Sequence, residues 1–257
     1  MNKQKKRLKN GQFSFGTEWT DYTWNPIAGC LHGCRWHMPD GSEIICYAED
    51  MALTITQRAY PDGFEHHYWH PKRLSEPLKL KTPAKIFCDS MSDLFGAWVP
   101  QEQQQSIFDV MRQANWHTFQ SLTKAPALML KYQTQHGKLP DNLWAGASIP
   151  PSVMMGKRLT IHQQEKMLHR TLAVLSELQN PIRWLCIEPL SFDVAPVLNQ
   201  YPDAIQWAVI GAANHGRKTY QPNADWVMKG IEVLRLHNIP IFFKGNLNWL
   251  PWYAEFP

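Results

Sequence analysis

Three cysteines stand close together in "GCLHGCRWHMPDGSEIICYAED", at Cys30, Cys34 and Cys46, with the spacing C-x3-C-x11-C. Two thiols would suffice for a disulfide, and four would close a structural zinc site. Three suit a metal centre with one position left open. The intervening "RWHMPDGSEII" carries a Pro-Asp-Gly turn with alternating residues on either arm, the signature of a hairpin. A hairpin brings its ends to about one strand spacing, ~5 Å, so Cys34 and Cys46 are expected to be neighbours and all three thiolates to face one centre. An iron–sulfur cube with one iron free for an outside ligand fits this donor set. A Cys3His zinc site completed by His32 or His37, or plain reduced thiols, fits it too. Cys88 and Cys186 lie inside apolar runs and read as buried, inert thiols.

A second set of polar residues follows apolar runs directly. Asp89, Ser90, Ser92 and Asp93 follow "AKIFC", and Thr123 and Lys124 end "WHTFQSLTK". Ser148 ends "NLWAGAS", Glu188 follows "PIRWLCI", Gly211 and Asn214 follow "IQWAVI", and Lys244 follows "IPIFF". A charge at the end of a buried run is costly unless it is paired or used, which singles out Glu188 and Lys244 as acid–base or anchoring groups.

The elements that would position these residues alternate along the chain. The apolar runs read as buried strands. Between them "QEQQQSIFDVMRQAN", "HQQEKMLHRTLAVLSELQ" and "ADWVMKGIEVLRLH" show helical spacing, and "APALMLKYQTQHG" and "YAEDMALT" are further helices. Strand–helix alternation implies a parallel sheet with crossover helices. Six such units, with a possible further strand in "DYTWNPI", predict an α/β fold of the partial (β/α)6-barrel type, with a doubly wound sheet as the alternative. In either, sites gather at the C-terminal ends of the strands.

The 257 residues suffice for one large domain. No Gly/Ser-rich linker divides them, so residues 17–257 read as one domain behind a basic flexible leader, 1–16. The leader holds Lys3, Lys5, Lys6, Arg7 and Lys9; without them the net charge of +4 becomes slightly negative, which gives the body no electrostatic case for DNA binding. No run approaches the ~18 apolar residues of a membrane span, and no secretory h-region follows the basic start. A cytoplasmic protein with reduced thiols is expected. The 12 tryptophans are expected mainly in the core, with a few available to stack on a flat substrate.

"TEWTDYTWNPIAGC", "CYAEDMA", "DSMSDLFGAWVP", "LTKAP", "EPL" and "FFKGN" occur in this order. Together they resemble a phage and bacterial family of three-cysteine proteins of poorly defined role, itself similar to an outlying branch of the radical S-adenosylmethionine (SAM) enzymes. The likeness covers nearly the whole chain from about Thr17. The usual radical SAM loop is C-x3-C-x2-C with an aromatic beside the last cysteine; here a hairpin precedes the third cysteine and Tyr47 follows it.

The resemblance implies a 4Fe–4S cluster on Cys30, Cys34 and Cys46, SAM on the open iron, and a 5′-deoxyadenosyl radical that takes hydrogen from a substrate. On that reading Tyr47 shields the cluster or contacts adenine, and Asp89 and Ser90 receive the SAM amino group. Gly211 and Asn214 cradle ribose or adenine, while Glu188 and Lys244 face the substrate. A nucleotide or nucleic-acid substrate and an electron donor of the flavodoxin or ferredoxin type are the expected partners. The competing readings are a zinc-binding α/β nucleic-acid-binding protein and a barrel hydrolase or lyase using Glu188 and Lys244, with structural cysteines.

Overall fold

A computed structural model of the chain describes residues 1–7, 13–38, 40–216 and 218–257. Its centre is an eight-stranded sheet. The edge strand β1 (Asn2–Lys3) runs antiparallel to β2 (Tyr22–Trp24). From β2 the order follows the chain through β3 (Lys85–Cys88), β4 (Thr118–Thr123), β5 (Leu143–Ser148), β6 (Arg183–Ile187), β7 (Trp207–Ile210) and β8 (Ile241–Phe243). Every neighbouring pair from β2 to β8 is parallel. The six apolar runs are β3 to β8, and "DYTWNPI" supplies β2. An order that never reverses has no topological switch point, so the doubly wound alternative falls.

Side-chain alternation explains how the layers form. Ile86, Cys88, Phe119, Leu185, Ile187, Ala208, Ile210, Ile241 and Phe243 share one core with Phe108 and Met111 of α2 (Gln101–Gln113). The same core takes Met129 of α3 (Pro126–His136), Leu168 and Leu172 of α4 (Ile161–Glu177), and Val227 and Leu234 of α5 (Ala224–Leu236). The intervening strand residues, Phe87, Trp184, Cys186, Trp207, Val209 and Phe242, form a second cluster with Trp19 and no helix. Period two thus separates a helix-covered face from a helix-free one.

The helix-free face is concave. Trp19 lies 4.7 Å from Phe87 of β3, 5.0 Å from Trp184 of β6 and 6.1 Å from Trp207 of β7, measured between ring centroids. In a flat sheet β3 and β7 would stand ~19 Å apart at the usual strand spacing. The sheet therefore curls around Trp19. The Gly245 N–H, just after β8, also donates to Glu18 Oε2 at 2.6 Å, just before β2. Among the described residues the strand ladder itself does not join end to end.

Trp144, Trp184 and Trp207 begin β5, β6 and β7, so this aromatic cluster fills the N-terminal end of the concave face. These tryptophans are core, and no stacking wall for a substrate is built from them. Gly146 is required beside them, because a Cβ there would stand 2.3 Å from Trp184 Nε1 and 2.6 Å from the Ser121 carbonyl oxygen. Gln120 is buried among these aromatics with its Nε2 on the Trp19 carbonyl, and the charged groups Glu188 and Lys244 stand at the C-terminal ends of the strands.

The expected flexible leader is built into the fold at its start. Besides β1, Lys5–Arg7 pairs with Phe13–Phe15, Gln4 Oε1 accepts the Thr17 N–H at 2.7 Å, and the Met1 ammonium meets Glu76. Residues 8–12, including Lys9, lie outside the described residues. Among those described, no helix is long and apolar enough to cross a membrane.

Candidate cysteine-centred active site

The chain leaves β2 at the C-terminal end of the sheet and enters the cysteine loop at Gly29. This glycine has φ +84°, and a Cβ on it would collide with the His66 carbonyl, so no other residue suits the turn. Its N–H donates to the Met91 carbonyl at 2.9 Å, tying the loop to the turn after β3. The hairpin then forms as the Pro-Asp-Gly signature predicts. Arg35 pairs with Ile45, Trp36 with Ile44 and His37 with Glu43. Gly41 takes φ +81° at the tip, and Asp40 Oδ1 accepts the Ser42 N–H at 3.0 Å. At its base the Cys46 N–H donates to the Cys34 carbonyl at 3.2 Å, so the two cysteines are neighbours despite their separation in sequence. Cys46 leads directly into α1 (Tyr47–Leu53).

The three thiols occupy one electrostatic neighbourhood. Burial pushes the Cys30 thiol far up, Asp93 adds to this, the His32 backbone N–H opposes it, and Cys46 and Cys34 raise it further. Cys34 is pushed up to about 12 by burial, with the Lys124 ammonium opposing and Cys46 reinforcing. With nothing bound, both are neutral thiols at pH 7. A metal would have to displace their protons, as metals do at thiol sites.

All three are free cysteines, and their donor chemistry is that of an iron–sulfur ligand set one short of the usual four. Among the described residues no group of three or more His, Cys, Asp or Glu side chains is gathered closely enough to hold a single metal ion. The imidazoles that could complete a Cys3His site each meet a carboxylate through Nε2 and leave a buried Nδ1 without a hydrogen-bond partner, the arrangement of a metal-ligating histidine. His32 Nε2 lies 2.7 Å from Asp93 Oδ2, and His37 Nε2 lies 3.3 Å from Glu43 Oε2.

Two aspartates of "DSMSD" sit beneath this loop in opposite electrostatic states. Asp93 is held below the ordinary carboxylate range. Burial works against this, but His32 and the Lys124 N–H at 2.8 Å outweigh it. Asp89 is raised well above that range by burial, although the Cys88 thiol, 3.2 Å from Oδ2, and the Ile27 N–H, 3.3 Å from Oδ1, oppose the shift. With both oxygens engaged and φ at +58°, Asp89 serves the turn rather than offering a carboxylate to a ligand.

The signs give opposite expectations for isosteric replacement. Asp93 contributes stability above the unfolded carboxyl pKa and loses it as pH falls through its lowered folded value. Asp93→Asn should therefore cost about 2–3 kcal/mol at pH 7 and flatten the acid limb of the stability profile. Asp89 bears a penalty above the unfolded pKa, and Asn tolerates positive φ, so Asp89→Asn should be neutral or stabilising at pH 7. Urea denaturation from pH 8 down to about 2 checks both, since the Asp93 limb lies below the unfolded carboxyl pKa; equal losses at the two sites would refute the assignment.

Across the mouth, Glu188 after β6 and Lys244 after β8 converge as their strand-end positions predict. Lys244 Nζ lies 2.9 Å from Glu188 Oε1, and each side chain is 22% exposed. Burial acts to lower the Lys244 pKa, but Glu188 overrides it and the ammonium is held above its ordinary value. Gly211 of the strand between them is steric in its effect, because a Cβ there would stand 2.9 Å from Glu188 Cγ. Its N–H and C=O are both taken, by the Ile187 carbonyl and the Leu190 N–H. Asn214 lies further out, on an exposed hairpin of Ala213–His215 with Lys218–Tyr220, its Oδ1 accepting from the Thr219 hydroxyl at 2.9 Å. Ser90 Oγ is 3.2 Å from Asn25 Oδ1. Tyr47 is 59% exposed at the start of α1; burial of its phenol raises its pKa, the Lys244 ammonium opposes this, and Cys46 and Glu188 reinforce it.

The two remaining cysteines differ more than sequence suggests. Cys88 belongs to the helix-covered core, whereas Cys186 lies on the concave face, with Lys124, Lys244 and Glu188 as its charged neighbours. Sequence reasoning also assigned no role to Lys124, or to Asp93 as the partner of His32. Both are strand-end polar residues whose partners come from elsewhere in the chain, so spacing gave no signal for the pairing.

None of the curated proteins matches the chain. Solved structures do match its fold. A structure of spore photoproduct lyase complexed with dinucleoside spore photoproduct is similar at a TM-score of 0.54 and 9% identity, over 91% of this chain and 79% of that one. An alanine-for-cysteine variant of the same lyase gives 0.53 at 8% identity, over 92% and 81%. The likeness is one of fold, an α/β fold with a mostly parallel central sheet. A family model described as "Protein of unknown function (DUF5131)" matches residues 15–255, and the chain belongs to that family.

Proposed function

We propose that this protein is a radical SAM-type enzyme. The observation that supports it best is that Cys30, Cys34 and Cys46 lie on one loop that leaves the C-terminal end of β2, with Cys34 and Cys46 joined at the base of its hairpin, in a fold similar to that of spore photoproduct lyase. The three cysteines would hold a 4Fe–4S cluster, which when bound and reduced supplies cleavage of SAM and a 5′-deoxyadenosyl radical that takes hydrogen from the substrate.

The chain's own residues bind, orient and exclude water. The tryptophan cluster closes the far end of the concave face, so a radical formed at the mouth is shielded from below. Tyr47 covers the outer side between Cys46 and the Glu188–Lys244 pair. That pair faces the substrate, where Lys244 can hold an anionic group and Glu188 can accept or return a proton. Ser90, with Asn25 beside it, and the Asn214 hairpin are the further polar contacts proposed for SAM. The proposed substrate is a nucleotide or nucleic acid, and the solved lyase complexed with a dinucleoside photoproduct makes this the first class to test. A one-electron donor of the flavodoxin or ferredoxin type completes the proposal.

Protein purified without oxygen should be brown, absorb broadly near ~400 nm and carry about four irons per chain. Colourless protein with stoichiometric zinc would overturn the proposal in favour of a zinc site.

A further inference from the structure

The cysteine hairpin belongs to a small four-stranded sheet, in the order Lys157–Arg158, Val153–Met154, Arg35–His37 and Glu43–Ile45. Val153 pairs with Arg35, the residue after Cys34, and on its other side with Arg158. The turn between the two outer strands is tied to the cysteine loop itself, because the Met155 N–H donates to the His32 carbonyl at 2.6 Å. This outer hairpin is thus bonded directly to the Cys30–Cys34 segment.

Methionine is an unusual residue for its turn. Met155 takes φ +52° and Gly156 φ +70°, the two left-handed positions of a two-residue hairpin loop. Asn, Asp or Gly suits the first position, and a bulky side chain there is strained. Packing does not offset the strain, since Met155 is 67% exposed. Leu31, beside His32 on the cysteine loop, and Ile161, at the start of α4, are exposed as well. A soft, adaptable thioether held outward with exposed aliphatics nearby suits the centre of a contact surface.

Charge sets this edge apart from the rest of the small sheet. Arg35 is held by Glu49 at 2.6 Å, His37 meets Glu43 at 3.3 Å, and Asp40 meets Lys218 at 2.8 Å. Lys157 and Arg158 are exposed, and among the described residues no carboxylate pairs with either. Alternation points them to opposite faces of the edge strand, so cations flank the free edge on both sides.

We infer that the Met155 hairpin is the docking surface for an acidic electron-donor protein. The apolar centre supplies contact area, and the two unpaired cations meet carboxylates of the partner. This rests on the radical SAM reading above, which calls for a one-electron donor, and it names where on this chain the donor sits. A nucleic acid suits the surface less well, because phosphates call for a longer run of cations and make no use of exposed Met, Leu and Ile.

Metal-free protein titrated by calorimetry at low ionic strength with an acidic flavodoxin, and separately with an acidic 2Fe–2S ferredoxin, tests the inference. At least one should bind wild type, and the binding should weaken as salt rises. The double variant Lys157→Glu/Arg158→Glu should bind about ten-fold more weakly or worse, with an unchanged far-UV spectrum. Met155→Gly should bind about three-fold more weakly while melting at a higher temperature, since glycine takes the left-handed turn without strain. Failure of both donors to bind wild type overturns the proposal, as does equal affinity in wild type and the charge-reversed variant. Single-stranded DNA that binds wild type and is lost on charge reversal, where neither donor binds, overturns it in favour of a nucleic-acid surface. Protein that takes up no iron but loses donor binding on charge reversal keeps the docking surface and fails the functional reading. Iron-loaded protein whose donor binding ignores the charge reversal does the converse.

Discussion

Replacing any one of Cys30, Cys34 or Cys46 by Ala should remove the bound iron and its visible absorption altogether, whereas Cys88→Ala and Cys186→Ala should keep both. Two backbone contacts hold the three, one for Cys30 and one shared by Cys34 and Cys46. The Cys30 N–H donates to the Phe64 carbonyl at 2.8 Å, and Cys34 and Cys46 are joined at the base of the hairpin. No other described cysteine lies on this loop to replace a lost ligand. Cys88 sits on the helix-covered face, so its removal should cost about 1 kcal/mol of packing and nothing in iron. Cys186 is the sharper control, since it lies on the concave face with Lys124 as a charged neighbour. Iron analysis and absorption spectra of the five variants check the set. Full iron in any of the first three, or its loss in Cys186→Ala, would mean that the ligand set is wrong.

What sequence alone makes legible here is local. The Pro-Asp-Gly turn and its alternating arms specify the hairpin, because turn geometry and register are set within a dozen residues. The apolar runs specify β3 to β8, because strands buried on both faces read as near-continuous hydrophobic stretches. β2 is short and less uniformly apolar, and "DYTWNPI" gives only a hint of it. The curvature of the sheet is not legible at all. It depends on Trp19 meeting Phe87 and Trp207, residues far apart in the chain whose individual types give no sign of partnership.

The site divides in the same way. Strand-end position is enough to bring Glu188 and Lys244 together, since β6 and β8 flank one strand. It is not enough to tell Asp89 from Asp93. Both follow β3, but one carboxyl meets a thiol and an amide in an apolar setting and the other meets an imidazole. That difference arises from Ile27, His32 and Lys124, contributed by two other segments. Nor does an apolar strand reveal that Cys186 faces the mouth while Cys88 faces the helices, because the face depends on which layer lies on which side.

Breaking the Glu188–Lys244 pair should abolish turnover while leaving the iron in place. Lys244→Met leaves a partly buried carboxylate without a cation, and Glu188→Gln leaves the ammonium without an anion. Removal of one partner from a buried pair costs about 3–5 kcal/mol. With each side chain 22% exposed, solvent screening reduces this to about 1–3 kcal/mol, and the double variant should recover part of the loss.

The pH dependence follows from the raised Lys244 value. Its contribution is fully present below the unfolded lysine pKa and is lost only as pH rises through the folded one. Stability differences between wild type and Lys244→Met should thus be constant across neutral pH and shrink only above the ordinary lysine range. A proton-transfer role predicts a fall of about a hundred-fold or more in turnover for Glu188→Gln, with iron content and the visible spectrum unchanged. A purely structural pair predicts something else: lower melting temperatures in both single variants, recovery in the double, and undiminished SAM affinity and turnover in the protein that remains folded. The two sets of outcomes share the stability loss and differ in turnover, so turnover per folded, iron-loaded molecule is the quantity that decides between them.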